Sequence, residues 1–237
     1  MSIYAIGDLH FSGVPASKPM DVFGEHWKNH RQRVIENWKQ IVAPEDTVIL
    51  CGDISWAMKL QDAVTEDLQD IAELPGTKVM LRGNHDYWWT SLTKMKQATA
   101  GAFFFLQNNF YPVEQEEGPV AVCGSRGWLT PVCEGYKPET DDGILRHEDL
   151  RIRASLDAAR RAGYENIILA LHYPPFYSPE ENSLFKQIID EYGVKRCVFG
   201  HIHGEDGAAS IFEGVRGNCS YKLVSCDTQN FMPVRVL

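Results

Sequence analysis

The sequence predicts an α/β protein with a largely parallel β-sheet, and two observations lead to this fold class. Apolar runs typical of buried strands alternate along the chain with amphipathic segments of helical spacing, as in residues 47–51 followed by residues 60–74. Five of the apolar runs also end in turns that carry Asp, Asn or His. Because ligands of parallel sheets bind beyond the carboxyl ends of the strands, these polar residues are expected to lie together at one edge.

Strands and helices alternate regularly in the first hundred residues. The segment 25–42 has apolar side chains at helical spacing and ends before Pro44, which cannot continue a helix. The segment 11–23 contains Pro, Gly and Ser and is expected to form a loop. The predicted strands are 3–6, 47–51 and 78–81, and the predicted helices are 25–42, 60–74 and 90–100.

The pattern changes after residue 100. Short strands with turn-rich joints indicate a mostly antiparallel stretch, and the polar segment 131–143 is expected to be a surface loop. The predicted strands are 103–106, 110–113, 120–123, 166–171 and 195–199, with helices at 146–162 and 181–192. The tail alternates like antiparallel strands at 208–212, 221–225 and 234–237. No repeat or linker interrupts residues 1–237, which are expected to form one domain.

The amino-acid composition disfavours some classes of binding partner. The chain has 237 residues, 44% of them hydrophobic, and a formal net charge of −9, which disfavours nucleic acid or an anionic membrane as the partner. An anionic substrate stays possible because bound cations can invert the local potential. The six cysteines include no Cys-x-x-Cys pair, the amino-terminal residues have no signal-peptide pattern, and no apolar run could span a bilayer. A cytoplasmic location is therefore expected.

The polar residues at the strand ends are metal-ligand types. They are Asp8 and His10, Asp53, Asn84 followed by His85 and Asp86, His172, and His201 with His203. Carboxylate, imidazole and amide ligands without thiolate suit Mn, Fe or Zn rather than a structural cysteine-bound zinc. The set is too large for one ion, and a bridging carboxylate would divide it between two.

The five clusters, in order, match the pattern D-x-H, G-D, G-N-H-[DE], H and G-H-x-H between residues 8 and 203. Each block alone is weak, but together they resemble the calcineurin-like metallophosphoesterase superfamily. The resemblance implies a four-layer α/β/β/α sandwich, with two mixed sheets flanked by helices and a two-metal site. It assigns Asp8, His10 and His203 to the first ion, Asn84, His172 and His201 to the second, and Asp53 to both. It also implies that His85 stabilises or protonates the leaving oxygen and that Asp86 orients His85.

These residues predict a dinuclear metal-dependent phosphohydrolase for a phosphate mono- or diester. Two divalent ions can clamp the attacking and leaving oxygens and activate a bridging water or hydroxide as the nucleophile, so that no Ser or Cys nucleophile is required. Arg82 is predicted to bind phosphate oxygens through its planar guanidinium group, with a surface or ion-pair role as the alternative. The competing hypothesis is a non-catalytic metal-binding or scaffold module of the same fold.

The sequence leaves the substrate and several aromatic residues open. A small-molecule or phosphoprotein phosphate ester is expected, and the oligomeric state is not predicted. Trp88 and Trp89 could provide a platform for an aromatic leaving group or pack the loop against a sheet, of which packing is favoured. Trp56, just after Asp53, has the same two interpretations, and the segment 131–143 could shape specificity.

Overall fold

The computed structural model describes residues 1–237 and contains two β-sheets packed face to face. The first sheet has the order β11-β1-β2-β3-β4, and the second has the order β5-β6-β7-β8-β10-β9. The strands of the first sheet are β1 Ile3–Ile6, β2 Thr47–Leu50, β3 Thr77–Met80, β4 Phe103–Phe105 and β11 Val234–Arg235. Those of the second are β5 Phe110–Val113, β6 Val120–Ser125, β7 Asn166–Leu171, β8 Arg196–Phe199, β9 Gly214–Arg216 and β10 Cys219–Leu223.

Both sheets are mixed, with parallel centres and antiparallel edges. Strands β1 to β4 are parallel and β11 is antiparallel to β1. In the second sheet β6, β7, β8 and β10 are parallel, whereas β5 and β9 are antiparallel to their neighbours. The carboxyl ends of the central strands therefore lie at one end of each sheet, where turns can bring side chains from distant segments together.

The helices cover the outer faces of the sheets. They are α1 His30–Ile41, α2 Leu60–Ala63, α3 Gln69–Ala72, α4 Leu92–Ala98, α5 Pro138–Arg161, α6 Leu184–Glu191 and α7 Gly204–Ser210. A π-helical turn, Val64–Leu68, joins α2 to α3. No helix combines the length and the apolar character that crossing a membrane requires.

Three separate hydrophobic clusters define the layers. The first packs α1 and the α2–α3 segment on the first sheet through residues such as Val34, Trp38 and Ile71. The second packs α5 and α6 on the other sheet through residues such as Ile152 and Ile188. The third lies between the sheets and is built from strand residues. Because strand side chains alternate between two faces, each sheet contributes to two clusters, and the predicted α/β/β/α sandwich is confirmed.

Three local predictions are wrong. The segment 131–143 is a loop only in part, because α5 begins at Pro138. Proline is compatible with the first turn of a helix, and the acidic residues that follow it there interact favourably with the helix dipole. The segment 208–212 belongs largely to helix α7 instead of a strand. Within residues 101–139, which were predicted to be mostly antiparallel, only β5 and β6 pair in that direction, because β4 and β6 also join parallel neighbours. Hydrophobic alternation does not encode the partner of a strand, and partner choice decides its direction.

Candidate metal centre

The turns after β1, β2 and β8 hold their polar side chains on an unusual backbone. Asp8, His10, Asp53 and His201 have positive φ values of 58°, 48°, 53° and 73°. Residues other than glycine adopt this left-handed region rarely and at a cost in conformational energy. Four of the predicted ligands therefore occupy strained positions that the surrounding structure must maintain.

Two glycines are required because the predicted ligands pass close to the backbone. A Cβ atom on Gly83 would overlap the carboxylate of Asp53, and a Cβ atom on Gly200 would overlap that of Asp8. The main chain can approach these carboxylates only where no side chain intervenes. The Gly-Asn-His-Asp and Gly-His-x-His segments thus need glycine for a tertiary contact.

One group of donors contains the residues predicted for the first ion. His10 Nε2 lies 3.2 Å from His203 Nε2, and His203 Nε2 lies 3.7 Å from Asp8 Oδ1. Metal–ligand bonds of about 2.0–2.2 Å place neighbouring ligand atoms on one ion about 3 Å apart, so this spacing fits a shared cation. Asp8, His10 and His203 converge as such a group.

The residues predicted for the second ion lie beside the first group. Asn84 Oδ1 is 2.6 Å from His172 Nε2 and 3.0 Å from His201 Nδ1. Asp53 Oδ2 is 3.6 Å from His172 Nε2 and 3.8 Å from His10 Nε2. A single carboxylate oxygen therefore faces donors of both groups, which is the placement expected of a bridging ligand.

Hydrogen bonds fix the orientation of two imidazoles. The Nδ1–H of His172 donates to the carbonyl oxygen of Cys51 at 3.0 Å, and the Nδ1–H of His203 donates to Asp227 at 2.9 Å. Each bond leaves Nε2 facing the donor group as a lone-pair ligand, an arrangement that metal sites commonly use. The hydrogen bonds that orient His172 and His203 thus also fit a cation-binding site.

Asp227 was not identified from the sequence. Its carboxylate also accepts the backbone N–H of Gly204 at 2.8 Å, so it holds both the imidazole of His203 and the start of α7. Asp227 follows β10, another parallel strand of the second sheet. The same rule that identified the other strand ends, an apolar run followed by a carboxylate, would have found it.

Burial and mutual repulsion shift the pKa values of the buried donors. Burial, with the neighbouring Asp53, raises the pKa of Asp8 to about 8, and the charge of His203 opposes this shift. Burial lowers the pKa of His172 to about 3 and that of His201 to about 2, so both imidazoles are neutral at pH 7, the form that can bind a metal. Burial also opposes the charge on His203, but Asp227 and Asp8 outweigh it and raise its pKa to about 9.

These shifts predict that metal binding releases protons. The raised pKa values of Asp8 and His203 mean that this pair of side chains holds at least one proton at pH 7 that a cation must displace, so affinity is expected to rise with pH. We expect Mn²⁺ to bind at least ~10-fold more tightly at pH 8 than at pH 6. Calorimetry at pH 7 in two buffers of different ionisation enthalpy counts the released protons. A proton count of zero would contradict the prediction.

Asp86 does not orient His85, which corrects the role expected for it. Its carboxylate accepts five N–H groups at 2.8–3.3 Å, from the backbone of Gly83, Asp53, Ile54 and Ser55 and from the indole of Trp88. Burial raises the pKa of Asp86, and the backbone donors oppose this by stabilising the charge. The side chain turns toward the loop after β2 because those N–H groups have no strand partner there. Asp86 thus positions Asp53.

Replacement of Asp86 with Asn should destabilise the protein. Whichever oxygen becomes an amide, at least two buried N–H donors lose their acceptor and face another donor. We expect the free energy of unfolding to fall by about 3 kcal/mol, with weaker metal binding because the loop that carries Asp53 loosens. Urea denaturation of the metal-free protein measures the first effect. An unchanged unfolding midpoint would show that Asp86 does not support this loop.

His85 lies at the edge of the donor groups, beside a pocket. Its backbone N–H donates to Asp53 Oδ1 at 2.7 Å, and its ring lies 4.3 Å from that of Trp56. Its buried Nδ1 has no hydrogen-bond partner. A pocket of about 350 Å³ is lined by His85, by His10 and His203, and by apolar side chains that include Met20, Phe23, Trp27 and Trp56.

The tryptophans have different roles. Trp88 is buried in the first hydrophobic cluster, and Trp89 packs against Phe105 at 5.3 Å, so the favoured packing interpretation holds for both. Trp56 stacks on His10 at 4.9 Å as well as contacting His85. It therefore touches one predicted ligand and the predicted proton donor.

Arg82 lies away from this pocket. Arg82 lines a smaller pocket together with Arg126 and Arg151. No residue is common to that pocket and the one lined by His85. The structure thus places Arg82 outside the pocket that His85 lines, and its predicted contact with phosphate oxygens stays a prediction.

An α/β/β/α sandwich whose strand ends gather Asp, Asn and His donors defines an α/β protein with a candidate metal site. The chain belongs to the calcineurin-like phosphoesterase family, whose model matches residues 1–205. This confirms the resemblance seen in the motifs. No curated protein matches the chain.

Solved structures share the fold at low sequence identity. A protein of unknown function, AQ665 from Aquifex aeolicus, is 16% identical with a TM-score of 0.54, covering 99% of this chain and 95% of that one. The protein TT1561 of Thermus thermophilus is 13% identical with a TM-score of 0.54, covering 85% and 81%. A novel archaeal phosphodiesterase is 16% identical and covers 96% and 86%, but its TM-score is only 0.39. The first two similarities support the fold alone.

Proposed function

We propose that this protein is a dinuclear metal-dependent phosphohydrolase that cleaves a phosphate mono- or diester. The observation that supports this most is the position of Asp53, whose Oδ2 faces donors of both groups. A site for a single ion needs no such shared oxygen. Membership of the calcineurin-like phosphoesterase family supports phosphate ester hydrolysis as the reaction class.

The donors divide between two cations. Asp8, His10 and His203 would hold the first ion, Asn84, His172 and His201 the second, and Asp53 both. When bound, a pair of divalent ions supplies Lewis-acid stabilisation of the phosphoryl oxygens and lowers the pKa of water. Oxygen and nitrogen donors of this kind suit Mn, Fe or Zn.

His85 is the proposed proton donor to the leaving oxygen. It faces the pocket of about 350 Å³, and its backbone is held by Asp53, so the imidazole lies close to the donor groups without belonging to either. The leaving group would therefore occupy the pocket beside Trp27 and Trp56. An imidazole in this position can act as a general acid toward the leaving oxygen.

The substrate is proposed to be a small-molecule or phosphoprotein phosphate ester. The formal net charge of −9 disfavours nucleic acid, and two cations would attract a phosphate despite the acidic chain. The cytoplasmic location and the single domain over residues 1–237 stay predictions.

Hydrolysis of p-nitrophenyl phosphate with added Mn²⁺ tests the proposal, and bis(p-nitrophenyl) phosphate tests diester cleavage in parallel. We expect metal-dependent phosphate release that chelation abolishes and fresh Mn²⁺ restores. Metal analysis of the same sample should give two ions per chain. A protein that binds both ions but hydrolyses neither compound would favour the non-catalytic scaffold.

A further inference from the structure

Three arginine side chains converge on a small pocket next to the predicted metal ligands. Arg82 lies between β3 and Asn84, Arg126 directly follows β6, and Arg151 reaches the pocket from α5. The pocket has a volume of about 60 Å³. This exceeds the 10–15 Å³ or so that one water requires and is close to the size of a single small anionic group.

Positive charge exceeds negative charge around this pocket. Glu148 is fully buried and pairs with Arg151 Nη1 at 2.7 Å, with Arg126 Nη2 lying farther away at 3.8 Å. Its carboxylate also accepts the hydroxyl of Ser125 and the backbone N–H of Gly127. Glu148 thus pairs with two of the three arginines and is already well supplied with donors, and no carboxylate pairs with Arg82.

Two of the arginines have unused donors in the protein interior. The Nε atoms of Arg82 and Arg126 are buried and have no hydrogen-bond partner. Burial lowers the pKa of Arg126 and the charge of Arg82 lowers it further, whereas Glu148 raises it. Buried hydrogen-bond donors are normally paired, so an acceptor is expected beside the Nε–H groups of Arg82 and Arg126. An anion between them would provide one and would relieve the repulsion.

The neighbouring structure holds Arg126 in place and connects it to the candidate metal centre. Its guanidinium lies 4.4 Å from the ring of Trp128, which packs on Tyr173, and Tyr173 packs on His201. The backbone carbonyl of Arg126 accepts the N–H of His172 at 3.0 Å. The pocket therefore lies beside the segments that carry His172 and His201, two of the donors predicted for the second ion.

We propose that Arg82, Arg126 and Arg151 bind a second anionic group of the substrate, which is then a phosphate ester that carries a further phosphate or carboxylate. This rests on the proposed function for the reacting phosphate. Guanidinium groups suit the recognition because their planar donors pair with phosphate and carboxylate oxygens in a bidentate manner.

Calorimetry on the Mn²⁺-loaded protein tests the proposal without turnover. The probes are alkane-α,ω-bisphosphonates of two to six carbons, the matching ω-phosphonoalkanoates, and alkylphosphonates that lack the second anion. We expect a bisphosphonate or a phosphonoalkanoate of at least one length to bind about tenfold or more tightly than its alkylphosphonate. Which of the two gains more distinguishes a second phosphate from a carboxylate. Equal affinities at every length would overturn the proposal.

Arg151→Gln tests whether Arg151 binds the second anion, and Arg153→Gln is its matched control. The Arg151 side chain is 47% exposed, so its replacement should not prevent folding. Arg153→Gln, two residues along α5, removes a guanidinium that pairs with Asp149 and Glu191 instead. In Arg151→Gln and Arg126→Lys, the probe with two anionic groups should bind at most threefold more tightly than its alkylphosphonate. In Arg153→Gln, the tenfold difference in affinity should persist. Persistence in all three variants would overturn the proposal.

Hydrolysis of the corresponding alkanediol bisphosphates and alkyl phosphates separates this inference from the proposed function. If the bisphosphonate advantage depends on Arg151 but neither ester is hydrolysed, the anion site stands and the phosphohydrolase fails. If both esters are hydrolysed equally well and the binding advantage is absent, the phosphohydrolase stands and the anion site fails.

Discussion

Asp53→Asn is expected to abolish phosphate ester hydrolysis, with a loss in kcat/KM of roughly 1,000-fold or more. Its Oδ2 lies within 3.8 Å of His10 Nε2 and 3.6 Å of His172 Nε2, so one substitution weakens both donor groups. A neutral amide cannot offset the charge of two cations. Turnover of p-nitrophenyl phosphate and metal content per chain, measured on the same preparation, check this prediction.

The matched control is Asp70→Asn. Asp70 lies on α3 and pairs with Arg31 at the surface, with its side chain 49% exposed, so the same chemical change there should leave turnover and metal content as in the wild type. Near-normal turnover in Asp53→Asn would refute the two-ion scheme.

His85→Asn is expected to lower kcat by about 10²–10⁴-fold while metal content stays nearly unchanged. The reason is that His85 lies beside the donor groups and lines the pocket, yet its ring is not among the converging metal donors. Removing the proton donor slows departure of the leaving oxygen and leaves the ions in place. The loss should be smaller for p-nitrophenyl phosphate than for an alkyl phosphate, because a good leaving group needs less protonation.

His147→Asn, an exposed histidine on α5, serves as the control and should behave as the wild type. Metal analysis decides between the two possible roles of His85. If both ions are lost in His85→Asn, the residue is a ligand and the proton-donor role is wrong.

The sequence predicted which residue types form the candidate site, but it predicted only some of the contacts between them. Asp8, His10 and His203 were grouped by the resemblance, and the structure places their donor atoms together. The resemblance implied that Asp86, the next residue, orients His85, but the Asp86 carboxylate binds the loop of Asp53 instead. Adjacent residues on a turn can point in opposite directions, so neighbourhood in sequence does not establish contact.

The sequence by itself determined which segments are central strands and which metal-ligand types follow them, because apolar runs and turn residues are local signals. It also determined the family, since five spaced motifs rarely coincide by chance. Only the tertiary structure decided where the side chains point. Positive φ values at Asp8, His10, Asp53 and His201 turn the ligands inward, Asp227 arrives from the far end of the chain, and Arg82 turns toward Arg126. These directions depend on backbone conformations and packing contacts between segments up to about two hundred residues apart, which no local pattern specifies.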